Sequence, residues 1–485
     1  MRNLIYGVVV WSLCVVTGCS ASEPTGATAS AAASDPAPLI DGTGVTATVS
    51  ALDTGAFEVS YVFAEPQTAL FFSRSGGDYR TGHWSALDDG VTLERIGGFD
   101  ALLFDTPRTH ARFAVQPWFG QITGDYSPYV QFSDGGVAVF TGQFEVLPVA
   151  DRDAVAALDG NIGYWSGDQP VLGVRILSDD RLVMNGEVLD GAAEDVSRGD
   201  GAFVYIGDGE IETGESFVGV LDRGLPGWIR TRFDSDLQAI FAALEAGWGF
   251  ELPQRATVYF AFEGFDRPGF SNKGGAARSL LMLQSSGEAL RNPSPRVLAY
   301  LQWFFAHEGT HLFQNEAGLH VVNSEHSWIS EGGANTMANA VVGTLEGMPE
   351  GTRLSEYQRA HAGCVQSLSG GPLSSAIQRG DFQANYHCGD LISLMSWAAT
   401  PNADIYMISE AVALRAQDQG GVDTDMYLAA LAELGADPGL LSQLRSLTTE
   451  SLANPAAALN AAMVEAGLNP QFDDSGALQS LDFPQ

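Results

Sequence analysis

His307 and His311 stand four residues apart with Glu308 beside the first, and Glu331 follows twenty residues after the second. On a helix that separation puts both imidazoles on one face, as two ligands of a single metal ion require. Glu308, about 100° further round the same helix, is placed to take a proton from a water on that metal. A third ligand from Glu331 completes a set of two histidines and one glutamate with one position open, the set of a catalytic zinc rather than a structural one. A fold that satisfies this pattern must run two helices side by side.

The local sequence supplies both helices. Ser294 and Pro295 form a start signal, Val297, Leu298, Leu301, Phe304 and Phe305 follow at helical spacing, and Gly318 is a stop. Glu331 falls in a second helical pattern, entered through Ser327. Gly332, Gly333 and Ala334 carry little or no side chain, which lets two helices approach closely enough to share an ion. The competing reading, two histidines facing a polar interior, does not account for the third acid at this distance.

The pattern His-Glu-x-x-His, then nineteen residues and Glu, resembles the gluzincin metallopeptidases, with the spacing seen in thermolysin. The stretch Trp328-Ile329-Ser330-Glu331-Gly332-Gly333-Ala334 is similar to the Trp-x-x-Glu-Gly-x-x motif of aminopeptidase N-type and glycyl aminopeptidase-type enzymes. Tyr386-His387-Cys388-Gly389 resembles their Tyr-Glu-Lys-Gly segment, with Cys388 in place of the lysine. The resemblance spans about residues 225–400, including an expected helix from Trp228 to about Ala246, Pro253, and a strand from Thr257 to Phe262. It implies a thermolysin-like zinc peptidase domain, one zinc ion, Glu308 as general base and Tyr386 as oxyanion donor. A buried tyrosine with a satisfied hydroxyl is the alternative for Tyr386, and Tyr357, His361 and His387 are competing donors. Asn335, one turn after Glu331, is either a residue that orients a ligand imidazole or an ordinary polar position.

At one place the family pattern is missing. Its Gly-x-Met-Glu-Asn edge strand, whose acid binds a free amino group, corresponds to Gly274-Gly275-Ala276-Ala277-Arg278, which has no acid. Lys273 and Arg278 flank that stretch, so a cationic amine is not expected there. The backbone of Gly274, Gly275 and Ala276 still offers an edge to an extended peptide.

Residues 1–18 read as a processing signal: Arg2, an apolar run from Leu4 to Val16, and Val16-Thr17-Gly18-Cys19. They resemble a bacterial lipoprotein signal, which implies lipidation of Cys19 and a lipid bilayer as partner; the alternative is an ordinary secretory signal. Residues 19–38 form an Ala/Ser/Thr/Pro-rich tether. The expected location is the cell envelope, at the outer membrane or periplasmic face if the source is Gram-negative. Cys364 and Cys388 then remain as an exported pair, expected to form a disulfide.

Residues 39–205 read as β: Val45, Ala47 and Val49, then Phe57, Val59, Tyr61 and Phe63, alternate with small or polar partners. Asn185-Gly186 and Gly135-Gly136 are hairpin candidates. The expected class is a multidomain α+β chain: a β-sandwich-like domain at 39–205, the catalytic domain at 206–400 and a helical C-terminal region at 401–485. Four helices are expected, Asn402–Gln417, Val422–Leu434, Pro438–Leu447 and Pro455–Glu465, with loose sequence from about residue 468. A formal charge of −35 argues against nucleic-acid binding, which requires phosphate charge to be neutralised. The functional expectation is hydrolysis of peptide bonds at the cell envelope. Two alternatives stand beside it: a gluzincin-fold surface lipoprotein that binds peptide or glycan without cleaving it, and a hydrolase of the same fold acting on another amide or ester.

Overall fold

The computed structural model describes residues 37–122, 125–345 and 351–484. The chain divides into two compact units, each discontinuous: one holds residues up to 213 with 218–225 and 257–287, the other 214–217, 226–256 and 288 onward.

The first unit is built from three sheets. In one, strands Val45–Ala51, Phe57–Phe72 and Phe99–Val115 are central, and Leu172–Leu177 pairs parallel to the first of them. The second has Val137–Phe140, Phe203–Ile206 and Leu182–Met184 side by side. The third includes Phe217–Leu221, Ala256–Phe262, Leu280–Ser286 and, outermost, Ser271–Ala277. Val45, Ala47, Val49, Phe57, Val59, Tyr61 and Phe63 share a core with Val139, Leu182, Met184, Val204 and Ile206 of the second sheet. The alternate residues of those short strands, Ala138, Phe140, Val183, Phe203 and Tyr205, share another core with Val218, Tyr259 and Met282 of the third. Successive side chains of a strand point to opposite faces, so a sheet covered on both sides needs unbroken apolar runs such as Val137-Ala138-Val139-Phe140. The expected sandwich is therefore present with a further sheet behind it. Asn185 and Gly186 make a two-residue hairpin turn, both at positive φ (51° and 72°), the geometry in which Asn-Gly is favoured. Two short helices, α1 (Tyr79–His83) and α2 (Arg152–Ala156), complete the unit.

The second unit is helical: α3 (Gly227–Trp248), α4 (Pro295–Glu316), α5 (Trp328–Val342), α6 (Thr352–Ser369) and α7 (Gln383–Ala399), then α8 (Ile405–Gln419), α9 (Thr424–Glu433), α10 (Pro438–Thr449) and α11 (Pro455–Glu465). α4 begins as its sequence demands, with the Ser294 hydroxyl accepting from the Val297 N–H and Pro295 at the first position. It ends in a Schellman turn: Gly318 is at φ +79°, Leu319 N–H donates to Gln314 and Gly318 N–H to Asn315. α5 is entered differently from expectation. Ser327 is already helical and its side chain caps nothing; Asn323 instead caps a preceding single turn by accepting from the Glu325 N–H.

Gly332 opens an approach to a different helix from the one the sequence suggested. A Cβ on Gly332 would lie 2.1 Å from the Gly389 carbonyl carbon, so α5 crosses α7 backbone to backbone at this point. Towards α4 the small residue is Gly333, whose added Cβ would meet the Gln314 amide at 3.3 Å. The last four helices start at Asp404, Asp423, Asp437 and Asn454, each side chain accepting from a first-turn N–H. The tail is ordered rather than loose. Gln471–Phe472 pairs with Leu478–Ser480, and Leu468, Leu478 and Leu481 are buried in the helical core. Three leucines spaced along a polar segment sufficed to tie it down. Among the described residues no helix is long and apolar enough to cross a membrane.

Candidate active site

α4 carries His307, Glu308 and His311 on its buried side, and α5 presents Glu331 from its first turn. The two Nε2 atoms are 3.2 Å apart, and Glu331 Oε2 lies 3.4 Å from that of His307 and 3.3 Å from that of His311. Three ligand atoms on a tetrahedral zinc, with bonds of about 2.0–2.1 Å, are separated from one another by about 3.3 Å. The three residues thus form a nearly equilateral triangle of the size that a four-coordinate ion spans. Glu331 Oε2 is buried and, among the described residues, has no hydrogen-bond partner of good geometry. A buried carboxylate oxygen left in that condition is costly unless a cation meets it. Among the described residues this is the group of three potential ligands whose atoms converge on one point, and its donor set suits zinc.

The electrostatics agree. Burial alone would depress the His311 imidazolium, but the charge and contact of Glu331, with Glu308 and Gln314 adding to it, raise His311 to about 9. Burial alone would raise Glu331, but His311 and His307 hold it down at about 2. Two carboxylates therefore surround the imidazoles with a field that favours positive charge at their centre.

Gln314 is a site residue the sequence reading missed. Its Oε1 is 2.8 Å from His311 Nδ1 and its Nε2 donates to the Ser330 carbonyl at 3.0 Å. It fixes the His311 ring and ties it to the turn just before Glu331, the arrangement that usually orients a ligand histidine. The signal was its position three residues after His311 on the same helix face. His307 is held otherwise: its ring stacks on Trp303 at 5.3 Å, and its Nδ1 has no hydrogen-bond partner among the described residues.

Glu308 is 3 % exposed, and its charge acts on both His311 and Tyr386. Tyr386 on α7 belongs to the same site, its ring 6.0 Å from that of His307. Burial foremost, then the charges of Glu331 and Glu308 and a hydrogen bond to Glu331, push its hydroxyl well above 10. It is therefore a protonated donor at neutral pH. The competing donors lie elsewhere. His361 bonds Asn460, His387 packs on Gly363, and Tyr357 is fully buried beside Thr336 and Asn339.

Asn335 does not orient an imidazole. It donates instead to the Tyr386 carbonyl at 3.3 Å, because it faces α7 rather than α4. Cys364 and Cys388 are joined, tying α6 to α7 two residues past Tyr386. Gly274, Gly275 and Ala276 lie on Ser271–Ala277, the outermost strand of the third sheet, in the other unit. The cations beside them are paired, Lys273 with Glu263 and Arg278 with Asp195 and Asp200. Cys19 lies outside the described residues.

No family model and no curated protein matches the sequence. Solved structures do match. An aminopeptidase N family protein from Idiomarina loihiensis superposes with a TM-score of 0.62 over 86% of this chain and 77% of its own, at 12% identity. An M1 zinc metallopeptidase from Deinococcus radiodurans gives a TM-score of 0.45 over 84% of this chain and 92% of its own, at 13% identity. The first likeness shows that this chain has the fold of an aminopeptidase N family protein, the mixed architecture that the motifs implied.

Proposed function

We propose that this chain is a zinc-dependent metallopeptidase that hydrolyses peptide bonds. The observation that carries this reading is the triangle of His307 Nε2, His311 Nε2 and Glu331 Oε2, with Glu308 and Tyr386 beside it. A zinc ion held by these three residues supplies Lewis acidity to water and to the scissile carbonyl. The other work belongs to the protein. Glu308, buried at the site, accepts the proton of the attacking water and returns it to the departing amine. The Tyr386 hydroxyl, which stays protonated, donates to the oxygen that gains charge as the carbonyl becomes tetrahedral. Gln314 holds His311, and burial of the whole set strengthens each of these interactions. The fold likeness to an aminopeptidase N family protein supports the same chemistry.

We further infer that Cys19 is lipidated and holds the protein at the cell envelope, from the signal-like residues before it. Replacing Cys19 with Ser should move the protein from the membrane to the soluble fraction of its host; equal partition of both forms would exclude the anchor.

The enzymatic reading is tested by incubating the zinc-loaded protein with a defined peptide mixture and mapping cut sites by mass spectrometry. Glu308→Gln should retain zinc and lose turnover by about 100-fold or more. Full turnover in that variant would remove Glu308 from the mechanism. Zinc-loaded protein that binds peptides and cleaves none would identify a binding module instead.

A further inference from the structure

We propose that Asp390 is a positioning residue that sets Tyr386 against the ligand triangle by clamping α7 to α5, an inference that rests on the peptidase reading above. Asp390 follows Tyr386 by one helical turn and is 3 % exposed. Its carboxylate is gripped by the neighbouring helix: the Thr336 hydroxyl lies 2.9 Å from Oδ1, and Asn339 Nδ2 donates to Oδ2 at 3.3 Å. Thr336 Oγ1 is also 3.1 Å from the Asp390 carbonyl oxygen. Asn335, the residue before Thr336, donates to the Tyr386 carbonyl at 3.3 Å, one turn before Asp390 on α7.

α5 therefore holds this turn of α7 at its start, through Asn335, and at its end, through Thr336 and Asn339. Within that turn Gly389 meets Gly332 of α5 backbone to backbone. The helix that supplies this grip is the one that carries Glu331. Any slip of α7 along α5 would move the Tyr386 hydroxyl relative to Glu331 and His307 while leaving the three ligands in place. Hydrophobic contact alone tolerates such sliding, whereas directed bonds to a buried carboxylate do not. A buried carboxylate is a costly residue at a helix crossing, and among the described residues Asp390 has no direct ion pair: Glu356, Arg359 and Arg353 act on it through charge alone. Its placement is accounted for by the register it imposes.

The test is a double-mutant cycle with zinc content measured throughout. Asp390→Ala should keep one zinc per chain and nearly unchanged KM, and lose kcat by roughly 10- to 100-fold, the range seen when outer partners of a site are removed. Asp390→Asn, which can still accept from Thr336, should recover most of that loss. In a Tyr386→Phe background Asp390→Ala should cost less than about two-fold, because the group through which it acts is gone. Equal losses in both backgrounds, or a loss confined to KM, would overturn the proposal. If Asp390→Ala does not fold, Thr336→Val removes the same bond and carries the same expectations. Hydrogen exchange supplies a readout independent of turnover: amides of residues 383–392 should exchange faster in Asp390→Ala than in Asp390→Asn. If the wild-type protein cleaves no peptide, the peptidase reading fails, and the exchange result still decides for or against the clamp. Equal exchange in the two variants would refute it.

Discussion

Replacing Gly332 with Ala adds one methyl group at the tightest point of the helix crossing, next in sequence to Glu331. That methyl would sit 2.1 Å from the Gly389 carbonyl carbon, where ordinary contact begins at 3.4 Å. The two helices must separate by about 1.3 Å, the difference of those distances, and neither neighbour is a flexible side chain that can swing aside. Overpacking of this kind costs roughly 1–3 kcal/mol or more. The displacement also acts on function, since an error of about 1 Å in the placement of a reacting group lowers turnover roughly 100-fold. Tyr386 and Glu331 lie on opposite sides of the widened gap, so kcat should fall by that order, and the urea midpoint should fall with it. Gly333→Ala is the comparison for stability, its methyl meeting side-chain ends alone, Gln314 Nε2 at 3.3 Å and Ser409 Oγ at 3.9 Å, and it should lower the urea midpoint less than Gly332→Ala. Urea unfolding monitored by far-ultraviolet circular dichroism, with turnover on a fluorogenic peptide, measures both effects. Wild-type stability and turnover in Gly332→Ala would refute the close-crossing argument.

Other outcomes follow from the same unit. Burial above all raises Asp390 to about 7 from 3.8 in the unfolded chain, with Glu356 adding to it and Thr336, Arg359 and Arg353 opposing. A raised folded pKa favours the fold below the unfolded value, and that advantage is lost as pH climbs from about 4 to 7. The loss approaches roughly 4 kcal/mol, about three units at 1.36 kcal/mol each. Asp390→Asn should therefore gain stability relative to wild type on going from pH 4 to pH 8, by urea titration at each pH; a constant difference would contradict the assignment. Cys364→Ser opens a link across 24 positions and should cost about 3 kcal/mol on the chain-entropy account, measurable as a lower urea midpoint under non-reducing conditions.

The ligand set was legible because its spacing is local: four residues along one helix fix His307 against His311, and a second helix had only to bring Glu331 alongside. Tyr386 drew notice through its resemblance to a known segment, and its ring lies 6.0 Å from that of His307. What the sequence left undecided depends on which helix meets which. The small residues after Glu331 suggest a close approach to the helix of His307, and Asn335 is open between orienting an imidazole and an ordinary polar position; a helix has several faces, and Gly332 and Asn335 turn to α7. Gln314 lies three residues past His311, but its role depends on the Ser330 carbonyl, which only the packing of α4 on α5 brings beside it. The three-sheet unit followed from apolar runs whose two-sided burial no alternation pattern announces. The C-terminal hairpin rests on a few leucines, too few for a periodic signal.

The central claim is that these two imidazoles and one carboxylate hold a zinc ion. The most direct measurement is the metal content of the purified protein together with zinc-edge X-ray absorption. The account predicts one zinc per chain, with two nitrogen ligands and oxygen ligands at about 2.0–2.2 Å, and loss of the metal in both His311→Ala and Glu331→Ala. Protein that binds no zinc at micromolar concentrations, or keeps it fully in both variants, would contradict the account.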